Sequence, residues 1–309
     1  MDPQIRAFLE TGNPRGARDL SQVPLDEALA FVRQRVNRPV DFTGLTVETR
    51  DVSAGGATVR VRTYVADDAT GPLPVVLNFH GGGFVLGVPE MDDYRCVELA
   101  RTVGCAVVSV DYRLAPEHKF PAAIDDALTA LTWLRNSADP VFDTGRIATV
   151  GSSAGGTIAA CLALRNRDLG GAPLAAQVLI YPVCDDDFSR DSYRRYSEGY
   201  YLTADRMRWY LAQYNDPAAV LDRAYYLPVK AQDHTAMPRS LILVAGFDPL
   251  ADEARVYADL LKAAGTEVLT LEVSDGVHGF VNAAPEASVS RITLETIASY
   301  LRHTFAGAA

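Results

Sequence analysis

The 309-residue sequence lacks the features that mark membrane-spanning and nucleic-acid-binding proteins. No stretch approaches 18 consecutive apolar residues, so no transmembrane helix is expected. Basic residues are the minority, 29 against 39 acidic ones, and the formal net charge is −10. A general binder of nucleic acid or of an anionic membrane needs a basic field, so we expect neither partner. Internal repeats, low-complexity segments and obvious inter-domain linkers are absent as well.

Cysteine is scarce, and the cysteines show no C-x-x-C spacing. The four are Cys96, Cys105, Cys161 and Cys184. We expect small buried thiols in a reducing cytoplasm rather than a disulfide pair or a zinc site. The N-terminal stretch MDPQIRAFLE has an early acidic residue and no apolar core, so no signal peptide is expected. The sequence therefore predicts a cytoplasmic protein.

What the chain does contain is enough apolar sequence, 48%, for a large core. Its length suits a single α/β domain. Residues 1–44 have a helical apolar stripe, formed by Leu25, Ala28, Leu29, Val32 and Val36. After residue 44 the period changes to two. Leu45–Asp51 and Thr58–Val65 flank a turn-rich stretch, which predicts a β-hairpin.

Short apolar runs then alternate with helical segments. The runs are Pro74–Phe79, Cys105–Val110, Ile147–Val150, Gln177–Tyr181, Ser240–Ala245 and Val268–Val273. The helical segments lie near 92–103, 122–136, 154–166, 203–214, 250–264 and 288–303. This alternation predicts a mostly parallel sheet covered by helices on both faces. Such sheets place reactive groups at the C-terminal ends of their strands.

The stretch at about 185–230 interrupts this alternation, and we interpret it as an insertion that forms a helical cap together with residues 1–44. It holds eight of the 14 tyrosines and one of the two tryptophans, namely Tyr193, Tyr196, Tyr200, Tyr201, Trp209, Tyr210, Tyr214, Tyr225 and Tyr226. These rings either wall a substrate pocket or pack the cap onto the body, and the sequence leaves both roles open.

The most specific local motif is Gly151–Gly155, which fits G-x-S-x-G and lies between an apolar run and a helical segment. That strand–turn–helix context is the one a nucleophile elbow requires. The motif makes Ser153 the candidate nucleophile. Ser152 is the rival, but the register places it on the shoulder of the turn.

A serine nucleophile needs a base, and the base needs an orienting acid. In α/β-hydrolases the chain order is Ser, then Asp or Glu, then His. Asp248 and His278 each follow an apolar run, so both are predicted at strand ends beside Ser153. Asp252 and Glu253 compete for the acid role, with charge complementing a helix dipole as their alternative reading.

Backbone donors for a developing oxyanion are predicted in the His80–Gly83 segment, directly after the first buried run. Glycines there leave N–H groups free to face a ligand. A flexible turn is the alternative reading. We interpret His80 as structural, hydrogen-bonded so as to position this loop rather than acting as a base.

The remaining polar candidates are assigned no chemistry. His118 is predicted in a packed loop, and His234 and His303 on the surface. Asp185–Asp187 could suggest a divalent-cation site, but no histidine or further carboxylate pattern supports it. A solvated loop or a helix start is preferred, and no metal is expected.

Taken together, the motifs resemble the hormone-sensitive-lipase-like (family IV) bacterial carboxylesterases. The matching elements, in order over roughly residues 45–305, are HGGGFVLG (80–87), DYRLAPEHKFP (111–121), GSSAGG (151–156), DPLADE (248–253) and HGF (278–280). The resemblance implies an α/β-hydrolase fold with a mostly parallel central sheet, helices on both faces and a helical cap. It also implies the catalytic triad Ser153, Asp248 and His278, and an oxyanion hole from the N–H groups of Gly82, Gly83 and Ala154, supported by His80 and Gly81.

Ser152 departs from the family pattern, which has Asp or Thr before the nucleophile, and this leaves the subfamily open. The expected protein is one α/β-hydrolase domain over residues 1–309. Its expected activity is hydrolysis of short- to medium-chain acyl esters through an acyl-enzyme, without metal or organic cofactor. The partner implied is a small-molecule ester, and the resemblance allows a homodimer. An amidase or peptidase on the same scaffold and a non-catalytic small-molecule receptor are the alternatives.

Overall fold

An eight-stranded sheet forms the centre of the fold. The computed structural model describes residues 1–12, 24, 27, 30 and 39–307. The strands are β1 (Leu45–Ala54), β2 (Ala57–Ala66), β3 (Leu73–Phe79), β4 (Ala106–Asp111), β5 (Phe142–Ser152), β6 (Ala176–Ile180), β7 (Ser240–Phe247) and β8 (Val268–Val277). Their order across the sheet is β1-β2-β4-β3-β5-β6-β7-β8. Only β2 runs opposite to the other seven strands, which confirms the predicted mostly parallel sheet.

The apolar runs became strands because both faces of the central sheet are covered. Every residue of β6 is buried, and so are six of the seven residues of β3. The hairpin of β1 and β2 lies at one edge of the sheet and is more exposed. Continuous burial of this kind is the reason that central parallel strands read as unbroken apolar runs rather than alternating ones.

The described part of the chain contains nine helices. They are α1 (Pro3–Gly12), α2 (Asp93–Leu99), α3 (Ala122–Arg135), α4 (Ala154–Asp168), α5 (Asp191–Arg195), α6 (Ala204–Tyr214), α7 (Ala251–Ala263), α8 (Phe280–Ala283) and α9 (Ser288–Gly307). Buried side chains of α3, α4, α6 and α7 form one apolar core, and those of α1, α2 and α9 form a second core. Helices therefore pack on both faces of the sheet, as predicted. No helix of the described residues is long and apolar enough to cross a membrane.

The inserted segment between β6 and β7 contains α5, α6 and two short 3₁₀ turns, Arg223–Tyr225 and Pro228–Lys230. The inserted segment contacts α1, where the ring of Phe8 lies 5.3 Å from the ring of Tyr201 between centroids. The predicted apolar stripe from Leu25 to Val36 lies outside the described residues.

All four cysteines are buried and carry free thiols, as predicted. Burial raises the pKa of the Cys105 thiol to about 12. A thiol with such a pKa is protonated at neutral pH and is a poor nucleophile.

The surface assignment of His234 was wrong. This side chain is buried, and its Nε2 lies 3.0 Å from the carbonyl oxygen of Pro228. A polar ring can be buried here because a backbone acceptor satisfies it. His303 is exposed, as predicted, and His118 is exposed on a loop between buried Ala115 and Phe120.

The solvated-loop assignment of Asp185–Asp187 was wrong for its first residue. Asp186 and Asp187 are exposed, but Asp185 is buried and ion-paired with Arg190 and Lys230. Burial opposes ionisation of Asp185, yet the hydrogen bonds from these two cations outweigh it and lower the pKa of the carboxyl. Within the described residues, no group of three or more His, Cys, Asp or Glu side chains is arranged to hold a metal ion.

Candidate active site

Ser153 lies on a sharp turn between β5 and α4. Its backbone has φ 55° and ψ −123°, a combination that a non-glycine residue adopts only where the surrounding structure enforces it. The N–H of Ser153 donates to the carbonyl oxygen of Ile180 on β6, at 2.9 Å. The neighbouring strand thus helps to hold the turn on which the hydroxyl is presented.

The glycine at position 155 permits a very close approach of backbone segments. A Cβ atom on Gly155 would lie 2.1 Å from the carbonyl oxygen of Phe79, at the end of β3. Real Cβ contacts are never this short, so a side chain at position 155 would push α4 away from the sheet. The G-x-S-x-G pattern therefore has a packing reason in addition to its chemistry.

The three residues predicted as a triad come together at one edge of the sheet. His278 Nε2 lies 2.9 Å from Ser153 Oγ, and His278 Nδ1 lies 2.7 Å from Asp248 Oδ2. The other carboxylate oxygen of Asp248 accepts from the N–H of Leu250 at 2.9 Å. The three residues meet because β5, β7 and β8, which precede them, end at the same edge of the sheet.

The hydrogen-bond pattern assigns the imidazole tautomer. A carboxylate only accepts, so Nδ1 of His278 donates to Asp248. Nε2 is then the unprotonated nitrogen of the neutral ring and accepts from the Ser153 hydroxyl. The arrangement can take a proton from Ser153 while Asp248 holds the ring, because both carboxylate oxygens of Asp248 are engaged and the group is buried.

The predicted oxyanion loop adjoins this triad. A Cβ atom on Gly81 would lie 3.5 Å from the Cβ of Ser153. The N–H groups of Gly82, Gly83 and Ala154 donate to no acceptor among the residues that the structure describes. Gly83 has φ 65°, and a side chain there would collide with the Tyr210 ring at 2.3 Å. The loop thus requires glycine both for its conformation and for its contact with α6.

His80 is fully buried at the start of this loop. Its Nδ1 lies 2.7 Å from the carbonyl oxygen of Gly81, and its ring stacks on Tyr112 at 4.2 Å between centroids. The Tyr112 hydroxyl donates to the carbonyl oxygen of His80 at 2.8 Å. Burial lowers the pKa of His80, so the ring is neutral at neutral pH. These contacts place His80 behind the loop rather than beside Ser153.

Asp252 and Glu253, the two rival acids, have other hydrogen-bond partners. Within the described residues, Asp248 is the only acid of the DPLADE motif that hydrogen-bonds His278. Asp252 accepts from the N–H of Ser192 and pairs with Arg255. Glu253 is fully buried, and its Oε1 accepts from the N–H of Cys184 at 2.8 Å. The interpretation of Glu253 as a helix-dipole charge was therefore wrong, because its carboxyl points into the core.

Burial raises the pKa of Glu253 well above its usual range, and it outweighs the hydrogen bonds donated by the backbone of Cys184 and Asp185. A glutamate carboxyl in an unfolded chain ionises at about pH 4.3. The folded protein keeps the proton to higher pH, so Glu253 lowers the free energy of unfolding as pH rises from about 4 toward its raised pKa. One proton contributes at most about 1.4 kcal/mol per pH unit to that slope.

Glu253→Gln is expected to remove this slope, because an amide has no proton to lose and still accepts from Cys184. Urea unfolding of both proteins between about pH 5 and about pH 8 measures the difference. The stability of the variant relative to the wild type should increase with pH. A difference independent of pH would contradict a protonated Glu253.

A cavity of about 420 Å³ opens above Ser153 and His278. Its walls are mainly aromatic and aliphatic, formed by Phe8, Val40, Leu86, Met91, Tyr94, Tyr181, Tyr201, Leu202, Met207 and Tyr210. Glu90, Arg206 and Asn282 add polar groups. A concave, largely apolar pocket with a few polar groups is typical of small-molecule sites.

The structure divides the tyrosines between the two roles that the sequence left open. Tyr201 and Tyr210 line the cavity, whereas Tyr214 and Tyr226 stack on each other in the core at 5.4 Å. Tyr214 also stacks on Phe84, the residue directly after the oxyanion loop, at 3.9 Å between ring centroids.

Tyr181 and Asn282 are among the pocket residues that the sequence reasoning missed. Tyr181 directly follows β6, and its ring lies 4.8 Å from that of His278. The strand-end rule that identified Asp248 and His278 applies to this position as well. Asn282 lies one helical turn after His278, and only the fold shows that its side chain reaches the pocket wall.

Comparison with known proteins agrees with this architecture. A family described by its α/β hydrolase fold matches residues 76–282. Esterase LipI of Mycobacterium tuberculosis is 39% identical, with 85% of this chain and 84% of the relative covered. An ethyl acetate hydrolase of Pseudomonas putida is 34% identical over 91% of this chain and 92% of the relative. A thermostable esterase from P. putida ECU1011 superimposes with a TM-score of 0.92, at 30% identity over 97% of this chain and 96% of the other.

The eight-stranded sheet with a serine at the β5–α4 turn is the architecture of an α/β hydrolase. The chain belongs to the hormone-sensitive-lipase-like carboxylesterases of that superfamily. It is an enzyme that hydrolyses carboxylic esters.

Proposed function

We propose that this enzyme hydrolyses short- to medium-chain acyl esters through an acyl-enzyme formed on Ser153. One observation carries the proposal: an unbroken hydrogen-bond chain runs from Ser153 Oγ through His278 to the buried Asp248. That chain ends at the floor of the apolar cavity, where an ester would bind.

In the first half-reaction, Ser153 Oγ attacks the ester carbonyl carbon while Nε2 of His278 takes the hydroxyl proton. The carbonyl oxygen becomes an oxyanion and accepts from the N–H groups of Gly82, Gly83 and Ala154. The C–O bond to the alcohol then breaks, and His278 gives its proton to the departing alkoxide. Asp248 stabilises the imidazolium while it carries the proton.

In the second half-reaction water hydrolyses the acyl-enzyme, so that water is the nucleophile and Ser153 the leaving group. His278 takes a proton from water, the resulting hydroxide attacks the acyl carbon, and the bond from that carbon to Ser153 Oγ breaks. The proton returns to Ser153, and the carboxylic acid leaves. Each step uses groups of this chain and water. Both half-reactions need a neutral imidazole on His278 to accept the proton.

The cavity suits a small ester. We propose that α1 and the segment at about 185–230 act together as a cap, because Phe8, Tyr201 and Tyr210 from these two parts line the space above Ser153. A volume of about 420 Å³ is near the lower end for small-molecule pockets. The similarity to an ethyl acetate hydrolase supports short-chain substrates.

Tyr210 should set an upper limit on chain length. Its ring lies against Gly83, so it closes the cavity beside the oxyanion loop. Tyr210→Ala opens this wall and is expected to move the preferred p-nitrophenyl ester toward longer acyl chains. Each methylene that becomes buried contributes about 0.8 kcal/mol, or roughly a fourfold change in kcat/KM. The measurement is kcat/KM over the acetate, butyrate, octanoate and palmitate esters.

Trp209→Ala is the matched control, since Trp209 precedes Tyr210 on α6 but is absent from the cavity wall. This control should keep the wild-type chain-length profile. If both variants shift the profile equally, a general loosening of α6 explains the result and the limit does not lie at Tyr210.

The proposed nucleophile is tested by active-site labelling. Diethyl p-nitrophenyl phosphate should release one equivalent of p-nitrophenol, and mass spectrometry should find the diethylphosphoryl group on the peptide containing Ser153. The same enzyme is assayed against a p-nitrophenyl ester and the matching anilide. Ester turnover that is lost on labelling, with the anilide unchanged by the enzyme, supports a carboxylesterase.

Ser152→Ala separates the two adjacent serines and should still label and turn over. Label on Ser152 would overturn the assignment of the nucleophile. Faster turnover of the anilide would make the protein an amidase. Absence of turnover and label in the wild type would favour a non-catalytic receptor.

A further inference from the structure

A fully buried ion pair lies behind the cavity wall. Asp92 ends the short 3₁₀ turn Pro89–Asp92, Arg95 lies on α2, and both side chains are 0% exposed. Neither residue lines the cavity. Removing two charges from water is costly unless their hydrogen bonds are well made. The partners of this pair therefore indicate what it holds.

Those partners belong to the two segments that carry the proposed chemistry. Arg95 Nη2 donates to Asn78 Oδ1 on β3 at 2.9 Å, two residues before His80 and the oxyanion loop. Asn282 Nδ2 donates to Asp92 Oδ1 at 2.5 Å, four residues after His278. Arg95 Nη1 also reaches Asn282 Oδ1 at 3.4 Å. Asn78 closes the cluster by donating to Asp92 Oδ2 at 3.0 Å.

The segment that carries His278 needs such an anchor. It leaves β8 through Gly279, whose φ is 78°, and forms only the four-residue helix α8. One helical turn is not stable by itself. Phe280 and Val281 are buried and fix the depth of the segment, but apolar burial is not directional. The hydrogen bonds from Asn282 are directional and set how the segment is rotated.

We infer that Asp92 and Arg95 are positioning residues, which act through Asn282 and Asn78 to hold the His278 segment in register with the oxyanion loop. The inference rests on the proposed function of Ser153 and His278. The pair is neutral overall, so its effect on the reaction is geometric. Misplacing a catalytic group by about 1 Å can cost roughly a hundredfold in rate. Substrate binding need not change, since neither charge faces the cavity.

The test removes both charges together, in the double variant Asp92→Leu/Arg95→Met, so that no unpaired charge is left in the core and Asn282 loses its acceptor. We expect kcat for p-nitrophenyl butyrate to fall by about ten- to a hundredfold with KM unchanged. The second-order rate of phosphorylation by diethyl p-nitrophenyl phosphate should fall by the same factor.

Tyr64→Phe is the matched control. Asp93 lies on α2 with Arg95, accepts from the Tyr64 hydroxyl at 2.5 Å and pairs with Arg62. None of Tyr64, Arg62 and Asp93 lines the cavity. The control should lower the melting temperature while kcat stays at the wild-type value. A drop in kcat as large as that of the double variant would show that any loss of buried polar contacts slows the enzyme, and would overturn the inference.

Asn282→Ala cuts the connection and keeps the ion pair, so it decides the question if the double variant does not fold. It should show the same loss of kcat, and an unchanged kcat would overturn the inference. Failure of the proposed function has a different signature. In that case the wild type itself shows no turnover and no label on Ser153, whatever the variants do.

Discussion

Ser153→Ala is expected to lower kcat for p-nitrophenyl butyrate by about 10⁶-fold, and adding His278→Ala to it should cost almost nothing more. The reason is that the two side chains act as one unit. Nε2 of His278 lies 2.9 Å from Ser153 Oγ, and without the hydroxyl the imidazole has no proton to take. The residual rate, about 10³- to 10⁴-fold above water, would come from the oxyanion donors and from substrate binding.

The measurement is kcat for the two single variants and for the double variant, alongside their melting temperatures. Ser152→Ala is the control, because this neighbouring serine is buried next to Gly81 but makes no hydrogen bond to His278 among the described contacts. It should retain most of the wild-type activity. Costs for Ser153→Ala and His278→Ala that multiply in the double variant would contradict a shared catalytic unit.

Asp248→Asn is expected to lower kcat by about 10⁴-fold with little change in fold. The carboxylate fixes the proton of His278 on Nδ1, at 2.7 Å. An amide of the same shape can turn its NH₂ group toward Nδ1, which moves the imidazole proton to Nε2. Nε2 then faces Ser153 with a proton and cannot accept another. The fold is retained because the amide oxygen still accepts from the N–H of Leu250.

Asp252→Asn is the matched control for this prediction. Asp252 lies in the same DPLADE motif, but it binds Ser192 and Arg255 at the start of α7. The Asp252→Asn substitution should leave kcat unchanged. If instead Asp252→Asn or Glu253→Gln lost activity while Asp248→Asn kept it, the orienting acid would have to be reassigned.

The buried acids show where sequence reasoning stops. Asp248 and Glu253 are five residues apart, both are carboxylic acids, and both are 0% exposed. Asp248 meets His278, a base directly after β8, whereas Glu253 meets the backbone of Cys184 after β6. Those partners are 30 and 69 residues away along the chain. Sequence alone ranks the two acids only through motif position and the order of the triad members.

The aromatic residues show the same division. Composition identifies the segment at about 185–230 as rich in tyrosine, but adjacent members take different places. Tyr225 hydrogen-bonds the exposed Asp168, whereas Tyr226 stacks against Tyr214 in the core. Which ring lines the cavity depends on the way α6 packs against Gly83, a contact across more than a hundred residues.

The sequence by itself determined the strands, the helices that alternate with them and the strand ends that carry Ser153, Asp248 and His278. These features are local: burial on both faces makes a strand an unbroken apolar run, and a parallel sheet brings all its carboxyl ends to one edge. Only the tertiary structure decided the strand order that inserts β3 between β4 and β5, the burial of His234 and Glu253, and the ion pair behind the cavity. A polar side chain is buried where a distant segment supplies its hydrogen bonds, and no local pattern of residues specifies which segment that is.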